Sequence, residues 1–288
     1  IEAKKGSALL PQAFLKTPQV LAGLVASALT FFFMGIQTIL LSPYLMLVAG
    51  WSAATMGAMS LLTGIPMFLL AMLIPKLMPN ANPRHVLQLG YIVMAGSLLL
   101  MYSSISEDGV GIGMYIGFFL VGVGSGISSS HTNNVVALAL SDKDAAQSGG
   151  VQTTMRNVGQ AIGVAALGAV LLFGITSNIN AAMEADPDIT PTVREAVSQR
   201  SITLMSDESF LSTISDIDMT EQEKADLVAI NSKARVDASK TAFIVAAVIM
   251  AAGLLTTPFI TVLRKEEEGA TAKQPAAAGL DELEPAAR

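Results

Sequence analysis

Apolar residues fall along this chain in six long runs: Val20–Leu41, Ala53–Ile74, Val86–Ser103, Gly111–Leu140, Val151–Ile175 and Thr241–Leu263. A helix needs about 20 mostly apolar residues to cross a bilayer core about 30 Å thick, and each run is of that order. Four runs contain no Asp, Glu, Lys, Arg or His, the fourth contains only His131, and the fifth only Arg156 near its start. A soluble surface helix would keep a polar face. The pattern therefore predicts an all-α integral membrane protein, one bundle of six transmembrane helices.

The connections set the expected orientation. Lys4, Lys5 and Lys16 precede the first run, Lys76 and Arg84 flank the second connection, and Lys143 stands in the fourth with Arg156 just inside the next helix. Arg264 and Lys265 follow the last run, whereas Pro43–Ser52 has no charge and Ser104–Val110 only Glu107 and Asp108. Basic residues thus recur at every second boundary. The positive-inside rule then puts both ends of the chain in the cytoplasm. The segment 176–240 carries six Lys or Arg on the outer side, but it is long enough to escape a rule that governs short loops.

That long segment reads as an extracytoplasmic loop with short helices over Thr192–Leu204 and Thr220–Val236. Thr220 and Glu223 have the spacing of a capping box. The expected division is a cytoplasmic lead-in at 1–18, helices one to five within 19–175, the loop at 176–240, the sixth helix at 241–263 and a tail at 264–288. The tail's Ala, Pro and scattered charges predict disorder. No basic n-region precedes the first run, so no signal peptide is expected. Ile1 in place of Met points to a piece of a longer protein.

Composition narrows the function. Only 14% of residues are charged, against about 25% in an ordinary globular domain. There is no Cys, so disulfides, thiol catalysis and Cys metal sites are excluded. No basic patch suits nucleic acid, and the glycine runs lack the Lys-Ser/Thr ending of a phosphate loop. An intramembrane protease is disfavoured too. Val123-Gly124-Ser125-Gly126 departs from the Gly-x-Ser-Gly of rhomboid enzymes at its first residue. His131 stands on the same predicted helix, about 9 Å further along the axis, out of reach of that serine. No enzyme activity and no cofactor are expected.

Inside the runs, small residues recur four apart. Gly122 with Gly126, and Gly159 with Gly163, each mark one helix face where two backbones can approach closely. Polar residues in lipid need partners or water. They gather at Gln37 in the first run, from Ser125 to Asn134 in the fourth, and at Gln152, Thr153, Thr154, Arg156, Asn157 and Gln160 in the fifth. Both latter groups lie toward the cytoplasmic ends of their helices. Two readings remain: helix ends entering the headgroup layer with hydroxyls turned on the backbone, or a hydrated inner cavity.

The stretch Arg156-Asn157-Val158-Gly159-Gln160-Ala161-Ile162-Gly163-Val164-Ala165, preceded by Gln147-Ser148-Gly149-Gly150, resembles the penultimate helix of the drug:proton antiporters of the major facilitator superfamily. Its pattern is most similar to the 14-helix branch of EmrB- and QacA-like multidrug exporters. Pro43-Tyr44-Leu45 with Trp51-Ser52 and Gly57 is similar to that family's first outer loop in the C-terminal half, and Asp237-Ala238 before Ala242-Phe243 to the start of its last helix. The resemblance implies a C-terminal half of a secondary active exporter in the bacterial inner membrane. The proton would be the coupling ion. Its partners would be amphipathic small-molecule drugs, the lipid bilayer and an N-terminal half that carries the coupling acids; a periplasmic adaptor protein is a further candidate. No Asp or Glu lies in the middle of any run here, and His131 is the one residual candidate for a proton. By the family's arrangement, helices one, two, four and five line the central cavity. The expected substrate contacts are then Phe33, Gln37, Tyr44, Asn133 and Gln160, and Arg84 and Arg156 are expected as a cytoplasmic gate or anchor. A six-helix scaffold or channel subunit is the alternative.

Overall fold

The computed structural model describes residues 18–107, 109–137, 142–200 and 202–260, apart from the side chains of 133, 134, 137 and 142–147. The expected lead-in, save its last residue, and the expected tail lie outside the described residues. Five helices come first: α1 (Pro18–Ile36), α2 (Ala53–Leu77), α3 (Pro83–Ser103), α4 (Ile112–Ala137) and α5 (Asp142–Ala185). Two short helices follow, α6 (Pro191–Ser198) and α7 (Asp207–Thr213), and then α8 (Glu221–Ala252), which tightens into a 3-10 turn at Gly253–Phe259. Six of these helices are long and apolar enough to cross a membrane. The chain is a multi-pass, all-α membrane protein.

Local chemistry explains the helix starts. The Ser52 hydroxyl accepts the Thr55 N–H at 3.1 Å and begins α2. Asn82 accepts the Arg84 N–H at 3.0 Å, and Pro83 follows it in the first turn of α3, where its missing N–H costs nothing. Between α3 and α4 the chain makes a two-residue hairpin, β1 (Ile105–Ser106) against β2 (Gly109–Val110). Gly109 turns it with φ +127°, a conformation that favours glycine.

α4 is the centre of the bundle. Its apolar window is 61% buried, against 11% for α2. α2 and α3 pack along α4, α1 packs along α5 and touches α4, and α8 closes the bundle against α5 and α3. Three of these seams are made by glycine. A Cβ on Gly159 would collide with the Ala28 carbonyl, and one on Gly163 would stand 2.5 Å from the Phe32 carbonyl. From the other side, a Cβ on Gly35 would stand 2.6 Å from the Val164 nitrogen. Contacts advance together along both chains, so α1 and α5 run parallel. α2 and α4 make the second parallel pair, where a Cβ on Gly122 would strike the Thr63 carbonyl and one on Gly126 would lie 2.7 Å from the Met67 carbonyl. The Thr63 hydroxyl adds a bond to the Phe118 carbonyl at 3.0 Å. The antiparallel α3–α4 seam closes at Gly90 and Gly124.

Two expectations need correction. The first helix does not end at Leu41. It continues through π-helical turns at Gln37–Leu41 and Tyr44–Val48. Pro43 lacks an N–H, so the ladder widens around it instead of breaking; Ser42 N–H reaches back to the Gln37 carbonyl and Ala49 N–H to that of Tyr44. The second correction concerns 176–240, expected as a loop with two short helices. Here α5 runs 44 residues, about 66 Å at 1.5 Å per residue, roughly twice a bilayer core. α8 joins the expected surface helix and the sixth span without a break. No Gly or Pro interrupts 176–185 or 237–240, so both helices simply extend beyond the apolar zone. Only 186–220 is a separate insert, with Pro187 at its start. Its core is Ile189, Val193, Val197, Ile202, Phe210 and Ile214, buried with Leu227 of α8. α7, which was not expected, starts on Ser206 as N-cap.

The capping box expected at Thr220 and Glu223 forms, and it does more than cap. One Glu223 oxygen accepts the Thr220 N–H at 2.9 Å, and the other accepts the Thr190 N–H at 3.0 Å and hydroxyl at 2.8 Å. It thereby ties the start of α6 to the start of α8. The Thr220 N–H, then the hydroxyl and N–H of Thr190, hold the Glu223 carboxyl down from its ordinary 4.5 to about 2.

Two outcomes follow from this packing. Alanine is favoured over glycine inside a helix by up to about 1 kcal/mol, so a loss on Gly159→Ala must come from the α1–α5 crossing. Gly159→Ala should lower the melting temperature and monodisperse yield in mild detergent, and Gly64→Ala, which faces open space, should not. Equal behaviour of the two would mean that α5 does not meet α1 there. For Glu223, a depressed carboxyl stabilises above pH 4.5 and that contribution is lost as pH falls toward 2. The protection of amides in residues 189–198, corrected for the intrinsic slowing of exchange in acid, should therefore fall across that window, and Glu223→Gln should remove this fall.

Candidate functional site

The sequence-predicted substrate residues do not form one open surface. Phe33 is 0% and Tyr44 1% exposed, both within the hydrophobic core. The helical spacing of Phe33 and Gln37 places them on one face, but packing within this bundle fills that face at Phe33, and Tyr44 is buried on the second π turn. Gln37 is half-buried at the start of the first π turn, and its side chain has no hydrogen-bond partner among the described residues. Gln160 is likewise half-buried and without such a partner, on α5 at the glycine crossing. The side chain of Asn133 lies outside the described residues; its backbone is in the last turns of α4.

The polar run of α4 is largely self-satisfied. Thr132 donates to the Ser128 carbonyl at 2.6 Å, Ser130 to the Ile127 carbonyl at 2.6 Å, and Ser125 to the Met94 sulfur at 3.5 Å. The Ser130 hydroxyl also stands 2.8 Å from His131 Nδ1, and which of the two donates depends on the tautomer of the ring. On α5, Thr153 and Thr154 turn on the Gly149 and Gly150 carbonyls at 2.9 and 3.0 Å. Buried polar atoms without a protein partner remain at Ser27 Oγ on α1, Ser128 Oγ on α4 and Gln152 Oε1 on α5. Both readings of the polar runs hold in part: hydroxyls serve the backbone, and a few groups are left for water or ligand.

The two expected cationic anchors differ. Arg156 stacks on the Phe31 ring, its guanidinium carbon 5.1 Å from the centroid, and so spans the α5–α1 seam. Arg84 is half-buried in the first turn of α3. Arg84 stands at the end of the bundle opposite the insert, and Arg156 lies in that half of the bundle but several turns inside α5.

At the insert end lies a group that the sequence reading missed. Arg235 on α8 is 2% exposed and pairs with Asp207 at 2.6 Å. Asn231 and Ser239, one turn to either side, are both 0% exposed, and Tyr44 lies within electrostatic reach of Arg235. The signal was present as polar residues four apart at positions 231, 235 and 239, but the sequence analysis singled out none of them. Trp51 and Tyr115 stack 5.1 Å apart at the same end.

Comparison with known proteins bears on this architecture of six spans, two glycine-made parallel pairs and part-buried amides. No curated protein matches the chain. The sequence profile of the Major Facilitator Superfamily matches residues 2–164, more than half of the chain, from before α1 to the glycine crossing of α5. The chain is a membrane transporter of the Major Facilitator Superfamily.

Proposed function

We propose that this chain acts as one six-helix half of a secondary active multidrug exporter driven by proton antiport. The observation that carries the reading is the uneven finish of the bundle. α2 packs along α4 and otherwise exposes a long apolar face, including Ile65, Phe68, Leu69, Met72 and Leu73. α5 likewise exposes Val158, Ile162, Leu172 and Phe173. Two helices finished in this way suit a second half that rocks against them around a midplane site. The likeness of 156–165 to the drug:proton antiporters supports the drug and proton parts of the proposal. Gln37 and Gln160 then supply orienting hydrogen bonds in a cavity otherwise lined by carbon and thioether, which repacks around varied shapes. Coupling acids belong to the other half, with His131 as the candidate proton acceptor in the described spans of this half.

Orientation is part of the same proposal. Lys76 and Arg84 stand at the end opposite the insert and Arg156 in that half of the bundle, which supports a cytoplasmic placement for that end and an external one for the insert.

The test is binding. With expression held equal, Gln37→Ala and Gln160→Ala should each weaken several dissimilar amphipathic drugs about fivefold by fluorescence polarisation, the effect of one lost hydrogen bond of about 1 kcal/mol. Wild-type affinity in both variants for every drug would contradict the cavity assignment. Absence of any drug binding by the wild type would favour a scaffold or channel subunit.

A further inference from the structure

The insert is fastened to α8 by charge as well as by apolar packing. Arg235 Nη1 donates to Asp207 Oδ1 at 2.6 Å and to the Met205 carbonyl at 2.8 Å, and Nη2 donates to Ser232 Oγ at 3.3 Å. Asn231 Nδ2 reaches the same Asp207 oxygen at 3.4 Å. The side chain of Arg235 is 3% exposed and that of Asp207 46%. The pair is dry at its α8 end and wet at its insert end. A buried charge left without its partner is strongly unfavourable, so residues 205–207 are held against α8 as long as Arg235 stays buried.

The face around Arg235 is not built to stay shut. Asn231, Arg235 and Ser239 are four apart and share one side of α8. Asn231 Oδ1, Arg235 Nε and Ser239 Oγ are buried and have no hydrogen-bond partner among the described residues. A permanently closed seam is better served by carbon, because unpartnered polar atoms raise the free energy of the closed state. Parting the seam wets all three. Tyr44, on the second π turn of α1, lies within electrostatic reach of Arg235, and such turns occur frequently at functional sites.

We propose that the insert is a strap and that Arg235 is its positioning residue. Arg235 fastens 205–207 to α8 beside the Tyr44 turn of α1, and parting of this joint opens the insert end of the bundle and hydrates the 231–235–239 face. The inference does not depend on drug or proton as cargo.

The chain has no Cys, so Ser239→Cys gives a single, nearly isosteric thiol at a site 0% exposed. Its rate of reaction with a water-soluble maleimide is measured in lipid nanodiscs, with hydrogen exchange at 44–51 and 202–214 followed in parallel. Asp207→Asn should quicken labelling about tenfold, the effect of losing one charge-assisted hydrogen bond, and should quicken exchange in both segments. The swap Asp207→Arg with Arg235→Asp should restore slow labelling. If Arg235→Met does not fold, Asp207→Asn still carries the test, because Arg235 keeps its bond to the Met205 carbonyl. Faster exchange at 202–214 with labelling and 44–51 unchanged would make the insert a passive cover and overturn the proposal. No change in any readout would do the same, as would a swap that labels as fast as the single variant.

Discussion

Helices α1 and α5 touch backbone to backbone. In lipid the apolar effect that drives soluble cores together is absent between helices, and close packing must supply the attraction instead. Gly35, Gly159 and Gly163 remove the side chains that would hold the two axes apart. The same device joins α2 to α4 through Gly122 and Gly126, and α3 to α4 through Gly90 and Gly124. Everything else in the bundle is placed by these seams. They bring Arg156 over Phe31, set Gln160 beside α1, and leave the apolar faces of α2 and α5 turned outward.

The seams also divide the molecule mechanically. A backbone contact without intervening side chains has little room to slide, because interiors at this density are not continuously deformable. Change of shape is therefore expected where the ladder is already irregular or where polar atoms lack partners. Both conditions meet at the insert end. The π turns of α1 flank Pro43, and Arg235, on the 231–235–239 face of α8, lies within electrostatic reach of Tyr44. At the opposite end most α4 hydroxyls turn on their own helix, but Ser128 Oγ, with Ser27 Oγ and Gln152 Oε1, has no partner among the described residues.

Much of this fold was legible in the sequence because charge is expensive in lipid. Six runs almost free of Asp, Glu, Lys, Arg and His allow few other readings, and Gly159 with Gly163 signalled a close crossing. The partner of that crossing was hidden, since Gly35 has no second glycine beside it in α1. Helix ends were less legible. Residues 176–185 are mostly polar or small, apart from Ile179 and Met183, and contain no breaker, so the apolar run stops where the helix does not. Pro43 looked like the start of a loop because its effect depends on whether neighbouring carbonyls find other donors, which is a tertiary matter. The site was the least legible part. Spacing shows that Phe33 and Gln37 share a face, but not that the core covers Phe33 and leaves Gln37 half-open. Arg235 was not singled out, because its partner Asp207 is 28 residues away in the chain and nothing local marks the pair.

The central claim is that α1 and α5 form one parallel, directly packed pair in the membrane. Ile39 and Gly168 test it, since a Cβ on Gly168 would stand 3.3 Å from Ile39 Cγ1, so that cysteines at the two positions would meet across the seam. In this Cys-free chain the double variant Ile39→Cys with Gly168→Cys should form an intramolecular disulfide in native membranes under mild oxidation, seen as a reductant-sensitive mobility shift. Ile39→Cys paired with Gly64→Cys on α2 should not. Failure of the first pair to cross-link, or equal cross-linking of both, would contradict the account.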